Sequence, residues 1–132
     1  MIRVIRRYEF SAAHVLARAD WTQARNTAVY GKCANPAGHG HNYRVELTLE
    51  GATDAGDALD EVVRERVLDA LDGRFLNREV GDFARAVPTA ENIARHIWDT
   101  LRDAVAPARL AGVRLVETSN NSVEYFGSEP TP

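Results

Sequence analysis

Four side chains of this 132-residue chain could together carry out metal-assisted chemistry: His14, His39, His41 and Cys33. His39 and His41 are two positions apart at the entry to a strand, so their imidazoles leave one face about 7 Å apart and can converge on one ion. His14 extends the core-facing phase of an earlier strand. If the two strands pair, three neutral ring nitrogens reach a common point at the rim of the sheet. Three nitrogen ligands with a vacant fourth position is the arrangement of catalytic zinc, whereas structural zinc closes its shell, usually with cysteines. Cys33 could supply that fourth ligand, and both versions stay open on the residues alone. A His-x-His pair by itself is as often polar decoration of a strand end; the third histidine in phase carries the inference.

The elements that must position these groups are legible from periodicity. Ile2, Val4, Tyr8 and Phe10 share one parity, broken by Arg6, and the phase runs on through Ala12 to His14. From Asn42 to Gly51, Tyr43, Val45, Leu47 and Leu49 alternate with Arg44, Glu46, Thr48 and Glu50, a second strand with one buried face. Between them lies a long connection, Val15 to Gly38, with a turn signal at Asn35-Pro36-Ala37-Gly38; a connection of that length inside a compact unit is functional or partly helical. After a break at Asp54-Ala55-Gly56-Asp57, Leu59, Val63, Val67, Leu68 and Leu71 predict a helix from about Ala58 to Leu71. Pro88 and Thr89 open a second helix, capped by the threonine, along which Ile93, Ile97, Leu101 and Val105 form one stripe until Pro107. His96 falls off that stripe and reads as a surface side chain. Val113, Leu115 and Glu117 alternate with Arg114, Val116 and Thr118, and Val123 and Tyr125 follow Ser119-Asn120-Asn121, so the last two strands form a hairpin. The order strand, strand, helix, helix, strand, strand predicts an α+β fold: a four-stranded antiparallel sheet with both helices on one face, occupying residues 1–132 as a single domain. The tail from Ser128 to Pro132 is expected to fray.

Composition narrows the partners. Lysine plus arginine number 16 against 19 acidic residues, a net charge of -3, so no footprint for nucleic acid is present. No apolar run approaches the roughly 20 residues needed to cross a bilayer, and Met1 to Phe10 has no signal-peptide character. A single cysteine fits a reducing, cytoplasmic setting.

Phe10-Ser11-Ala12-Ala13-His14 followed by Gly31-Lys32-Cys33-Ala34-Asn35-Pro36-Ala37-Gly38-His39-Gly40-His41-Asn42-Tyr43 closely resembles the 6-pyruvoyl-tetrahydropterin synthase family, which includes the 6-carboxy-tetrahydropterin synthases of queuosine synthesis. Leu71-Asp72, Phe75-Leu76-Asn77, Pro88-Thr89-Ala90-Glu91-Asn92 and Glu117-Thr118 extend the match in order along nearly the whole chain. The resemblance implies the tunnelling fold, with subunits closing a trimeric barrel by edge pairing, two trimers stacking into a hexamer, and active sites where subunits meet. It implies a zinc-dependent reaction in which 7,8-dihydroneopterin triphosphate loses triphosphate and becomes a 6-substituted tetrahydropterin. It assigns His14, His39 and His41 to the metal, Cys33 and Asp72 to proton transfer, and Glu117 to the pterin, with Thr89 and Glu91 as a second pterin-contacting segment. A carboxylate suits the pterin because the ring's amino group and adjacent N–H present two parallel donors. Read without the resemblance, Glu117 is an acid on a core-facing strand position that needs a partner, for which an arginine would serve, and Thr89 with Glu91 is a helix cap with a first-turn acid.

One departure stands out. The family places a histidine directly after the aspartate, forming a relay with the cysteine; here Asp72 is followed by Gly73. The spacing from Cys33 to His39 resembles the pyruvoyl-forming members more than the queuosine enzymes. Lys32, Arg25 and Arg44 are the cations considered for the triphosphate.

Overall fold

The computed structural model describes residues 1–51 and 56–128; Asp54 and Ala55 of the expected break and the tail beyond Ser128 lie outside them. Two long strands, β1 (Arg3–His14) and β2 (His39–Glu50), pair antiparallel over their full length, with Arg3 opposite Glu50 and His14 opposite His39. The connection between them holds α1 (Gln23–Tyr30), capped by Thr22, and a 3-10 turn (Gly31–Ala34) that carries Cys33. Helix α2 (Gly56–Val63) continues without a break through a π turn (Arg64–Leu68) and a last α turn (Asp69–Leu71). A two-residue strand β3 (Arg74–Phe75), the single turn α3 (Leu76–Glu79) and a 3-10 turn (Gly81–Ala84) lead to α4 (Ala90–Leu101), followed by the hairpin β4 (Arg109–Thr118) and β5 (Asn121–Tyr125).

The sheet order is β3-β1-β2-β4-β5, with β3 parallel to β1 and every other pair antiparallel. The α+β class stands, but the expected four-stranded antiparallel sheet with two helices is corrected to a five-stranded mixed sheet with four helices. The additions were invisible for physical reasons. Strand β3 is too short to show alternation, and α1 has no apolar stripe, since its one buried residue is Asn26. Helix α4 ends at Leu101 rather than running to Pro107, although Val105 is still buried.

The expected parities hold from Val4 onward, whereas Ile2, in the same phase, precedes β1 and is exposed. Phe10, Ala12 and His14 of β1 and Tyr43, Val45, Leu47 and Leu49 of β2 face the helices, meeting Ile93, Ile97 and Leu101 of α4 and Leu59, Val63, Val67 and Leu71 of α2. Residues spaced by four drift about 40° per step around a plain α-helix. Yet all four of the α2 series are buried, because the wider π turn takes up the drift. Arg6, the exception to the β1 pattern, gives its charge to Asp60 on α2 at 2.6 Å, and Tyr8 donates to the same carboxylate at 2.5 Å. None of the described helices is long and apolar enough to cross a membrane.

The other face of the sheet bears no helix and is organised in charged rungs. Glu50 lies between Arg3 and Arg109, and Glu46 between Arg7 and Arg114. Both carboxylates are buried, at 7% and 9% exposure, so each needs its cations. Those cations, Arg7 then Arg114 for Glu46 and Arg3 then Arg109 for Glu50, hold both carboxyls below their ordinary value. A carboxyl lowered in the folded state contributes stability that is fully present above its unfolded pKa, about 4.3, and is lost as the pH falls through the folded value. Urea denaturation as a function of pH is therefore expected to show stability falling below about pH 4.3, with a shallower fall in Glu46→Gln. An equal slope in the variant would remove Glu46 from the account. Among the described residues, β3 covers the outer edge of β1 only at Ala12 and Ala13, and the outer edge of β5 pairs with no strand.

Candidate active site

The register of β1 and β2 brings the three histidines together. His14 ends β1 opposite His39, and His41 stands opposite Ala12, so all three rings leave the helix-facing side at one end of the strand pair. Their ligand atoms lie within 4.8 Å of one another. His14 is fully buried, and His39 and His41 are half-buried.

The carbonyl of Pro88 lies 2.7 Å from His14 Nδ1 and can only accept, so Nδ1 carries the proton and the lone pair of Nε2 faces the cluster. The Tyr43 hydroxyl, 3.3 Å from the same nitrogen, shares that proton as a second acceptor. Burial lowers the pKa of His14 and of His39, keeping both in the neutral form that binds metals. His14 Nε2 and His39 Nε2 are 3.0 Å apart. Two nitrogens held about 2.0 to 2.1 Å from one tetrahedral ion would stand at roughly 3.3 Å, so this pair is already near the spacing that a shared metal sets.

Glu117 completes the rim. Its Oε1 lies 3.5 Å from His14 Nε2 and 3.4 Å from His41 Nε2, and its Oε2 accepts from Asn121 Nδ2 at 2.7 Å. The partners of this acid are therefore histidines and an amide rather than an arginine. Cys33 is half-buried on its 3-10 turn and is not in the ligand group, so the structure does not draw it in as a fourth ligand. Its carbonyl accepts from Leu16 N–H at 2.8 Å, just past His14.

The remaining expected residues are more dispersed. Asp72 is exposed at the outer edge of β1, where its Oδ1 accepts from Ser11 N–H at 2.8 Å. Thr89 Oγ1 caps α4 by accepting from Asn92 N–H at 3.2 Å, and Glu91 is an exposed first-turn acid. Arg44 projects from the helix-free face near Glu9, away from the histidines, while Arg25 lies 4.1 Å over the Trp21 ring. His96 lies half-buried at the surface, held by Asp82 at 2.7 Å and packed against Phe83. Two hollows flank the cluster. One of about 940 Å³ lies beyond Pro88, between Arg18, Tyr30, Val87 and Thr89. The other, about 520 Å³, has His41, Asn42, Gly73 and Phe75 on its wall. The histidines do not line the larger one, so volume alone does not mark the chemistry here.

A sequence model described as 6-pyruvoyl tetrahydropterin synthase matches residues 3–128. The chain belongs to this family. It is accordingly an enzyme of the 6-pyruvoyl tetrahydropterin synthase type, a lyase. It is 38% identical to the 6-pyruvoyl tetrahydrobiopterin synthase of Homo sapiens over 132 residues, covering 95% of this chain and 91% of that one. The solved 6-pyruvoyl tetrahydropterin synthase of Caenorhabditis elegans superposes with a TM-score of 0.84 at 35% identity, covering 96% of each chain. A more distant relative, the dihydroneopterin monophosphate aldolase of Pyrococcus furiosus, is 30% identical over 104 residues, 76% of this chain and 75% of that one.

Several residues that shape this synthase-type site carry no local sequence signal. Pro88 reads as a helix-start proline, Asn121 as a turn residue, and Asn77 and Asn26 as ordinary polar positions, yet each binds a group next to the site.

Proposed function

We propose that this enzyme is a zinc-dependent carbon–oxygen lyase. Its substrate in this reading is 7,8-dihydroneopterin triphosphate or a near relative, converted with loss of triphosphate to a 6-pyruvoyl- or 6-carboxy-type tetrahydropterin. The observation that carries the reading is the convergence of three imidazoles with the Glu117 carboxylate beside them. Bound by His14, His39 and His41, zinc supplies Lewis acidity to the hydroxyl oxygens of the pterin side chain. Pro88 holds the His14 tautomer that ligation needs. Glu117, steadied by Asn121, accepts the paired donors of the pterin ring and sets its orientation. Cys33 takes the carbon-bound proton as base, and Thr89 and Glu91 border the pterin from the start of α4.

The enzyme works in the cytoplasm as a homo-oligomer, a trimer or a hexamer of two trimers. Among the described residues, the outer edge of β1 away from Ala12 and Ala13 and the outer edge of β5 pair with no strand, which supports this, since closure removes open edges. In this reading Asp72, which holds the Ser11 N–H, takes part with Cys33 in the proton transfer. A second reading keeps the pterin pocket but changes or loses the reaction. It is favoured by Gly73 in place of the relay histidine and by the likeness to a protein named as a phosphopterin aldolase.

Mass spectrometry of the products after incubation with dihydroneopterin triphosphate and zinc decides between them. Triphosphate release with a tetrahydropterin product supports the lyase, an aldehyde product supports the second reading, and absence of any product with calorimetric pterin binding leaves a binder. Gly73→His bears on the same choice. Gly73 has φ +72°, and a Cβ there meets nothing within 4 Å. The substitution is expected to cost about 1–2 kcal/mol for the left-handed backbone without a clash, measured by urea denaturation. Turnover should rise if the relay is what the glycine removed; unchanged turnover would take residue 73 out of the proton path.

A further inference from the structure

We propose that two asparagine side chains, Asn77 and Asn26, act as a brace that sets the metal ligand His14 and the thiol Cys33 at a fixed separation, making both of them positioning residues. The inference rests on the metal reading above for its first half only.

His14 is the last residue of β1, and a strand end has no neighbour to hold the backbone that follows. Here both backbone groups of Val15, both of Arg18 and the N–H of Leu16 are bound. Val15 N–H donates to Asn77 Oδ1 at 2.8 Å, and Asn77 Nδ2 donates to the Val15 carbonyl at 2.9 Å. Leu16 N–H donates to the carbonyl of Cys33 at 2.8 Å. Arg18 N–H donates to Asn26 Oδ1 at 2.8 Å, and Asn26 Nδ2 donates to the Arg18 carbonyl at 3.0 Å. The segment 15–18 is therefore tied to α3, to the cysteine turn and to α1 in succession.

Residue type explains why these ties are specific. A primary amide presents a donor and an acceptor in one plane, so it can satisfy both groups of a single residue as another peptide unit would. Asn77 thereby prolongs the ladder that β3 makes with Ala12 and Ala13, although the backbone has already turned into α3. Asn26 does the same from α1, where it is the one buried residue of the helix, a position that packing alone would assign to an apolar side chain. Because α1 runs directly into the turn carrying Cys33, Asn26 places that turn and Asn77 places His14, with Leu16 as the link between them.

The test separates a brace from a simple loop staple by reading the two halves independently. Cobalt(II) titration of the metal-free protein reports the histidine site through its visible absorption, and the alkylation rate of Cys33 by iodoacetamide across pH reports the thiol. Asn77→Ala is expected to weaken cobalt binding by about tenfold to a hundredfold, the usual effect of losing a partner behind a ligand, and to shift the absorption band. Asn26→Ala is expected to change the alkylation profile several-fold while leaving cobalt affinity near that of the parent. If Asn77→Ala is too unstable to handle, Asn77→Ser, which leaves a shorter polar group there without adding charge, is expected to show a loss in the same direction. Parental cobalt affinity in Asn77→Ser or Asn77→Ala, or a parental alkylation profile in Asn26→Ala, with only the melting temperature lowered, would overturn the brace. Should the parent take up no cobalt, the metal reading fails, and the Asn26 arm still decides whether the thiol is held this way.

Discussion

Alanine at His39 or His14 is expected to remove metal binding and triphosphate release together, with affinity for zinc falling by more than the tenfold to about hundredfold typical of outer partners. Two imidazoles remain in either variant, and the carboxylate beside them, Glu117, is engaged with Asn121 and, in the proposed reading, with the pterin. The His39 change is the cleaner experiment. His14 also satisfies the Pro88 carbonyl and the Tyr43 hydroxyl, so its loss orphans two buried groups, whereas among the described residues the His39 ring makes its hydrogen-bond contact inside the cluster, with His14. Metal removal by a chelator should silence the enzyme and leave it folded, because the core built on Leu47, Ile97 and Leu115 does not depend on the metal. A far-ultraviolet spectrum and a melting curve on the chelated protein check this. Unfolding on chelation would instead identify a structural ion. Full activity of metal-free protein would remove the Lewis-acid step altogether.

Cys33→Ala is expected to lower kcat by about a hundredfold to ten-thousandfold, the range over which a positioned base contributes, with little change in pterin affinity. The structure makes this a chemical rather than a structural test. The link from Cys33 to the segment after His14 runs through its backbone carbonyl, which alanine keeps. The half-buried thiol is also small enough that its removal leaves a minor cavity. Calorimetry with a pterin should show binding intact in Cys33→Ala and weakened in Glu117→Gln, since only the second variant loses a charged acceptor at the rim. Equal turnover in the parent and Cys33→Ala would mean that another group removes the proton.

How much of this was legible in the sequence depends on which interaction carries each part. The histidine trio was readable because a strand has a strict period of two, so phase alone placed His14, His39 and His41 on one side. The Thr89 cap was readable for a similar reason, since it acts within one turn of its own helix. Strand β3 and helix α1 were not readable. They are held by contacts between residues distant in sequence: Asn77 reaching Val15, Asp72 reaching Ser11, and Asn26 buried where a stripe of apolar residues would have announced a helix. Glu117 sat between these cases. Alternation gave its face, but only the folded sheet shows that histidines and Asn121, rather than an arginine, meet it. Arg44 shows the converse: a cation near the motif in sequence turns to the wrong side of the sheet.

The π turn of Arg64–Leu68 bears on how this protein tolerates insertions and deletions. It amounts to one extra residue looped into an otherwise regular coil. Excising one residue there would tidy the helix yet rotate everything beyond it by about 100°. Leu71 would leave the core, and the chain carrying Asp72, β3 and Asn77 would miss the edge of β1. A shortened homologue with an unbroken helix at this place must anchor the chain after its counterpart of His14 by some other means.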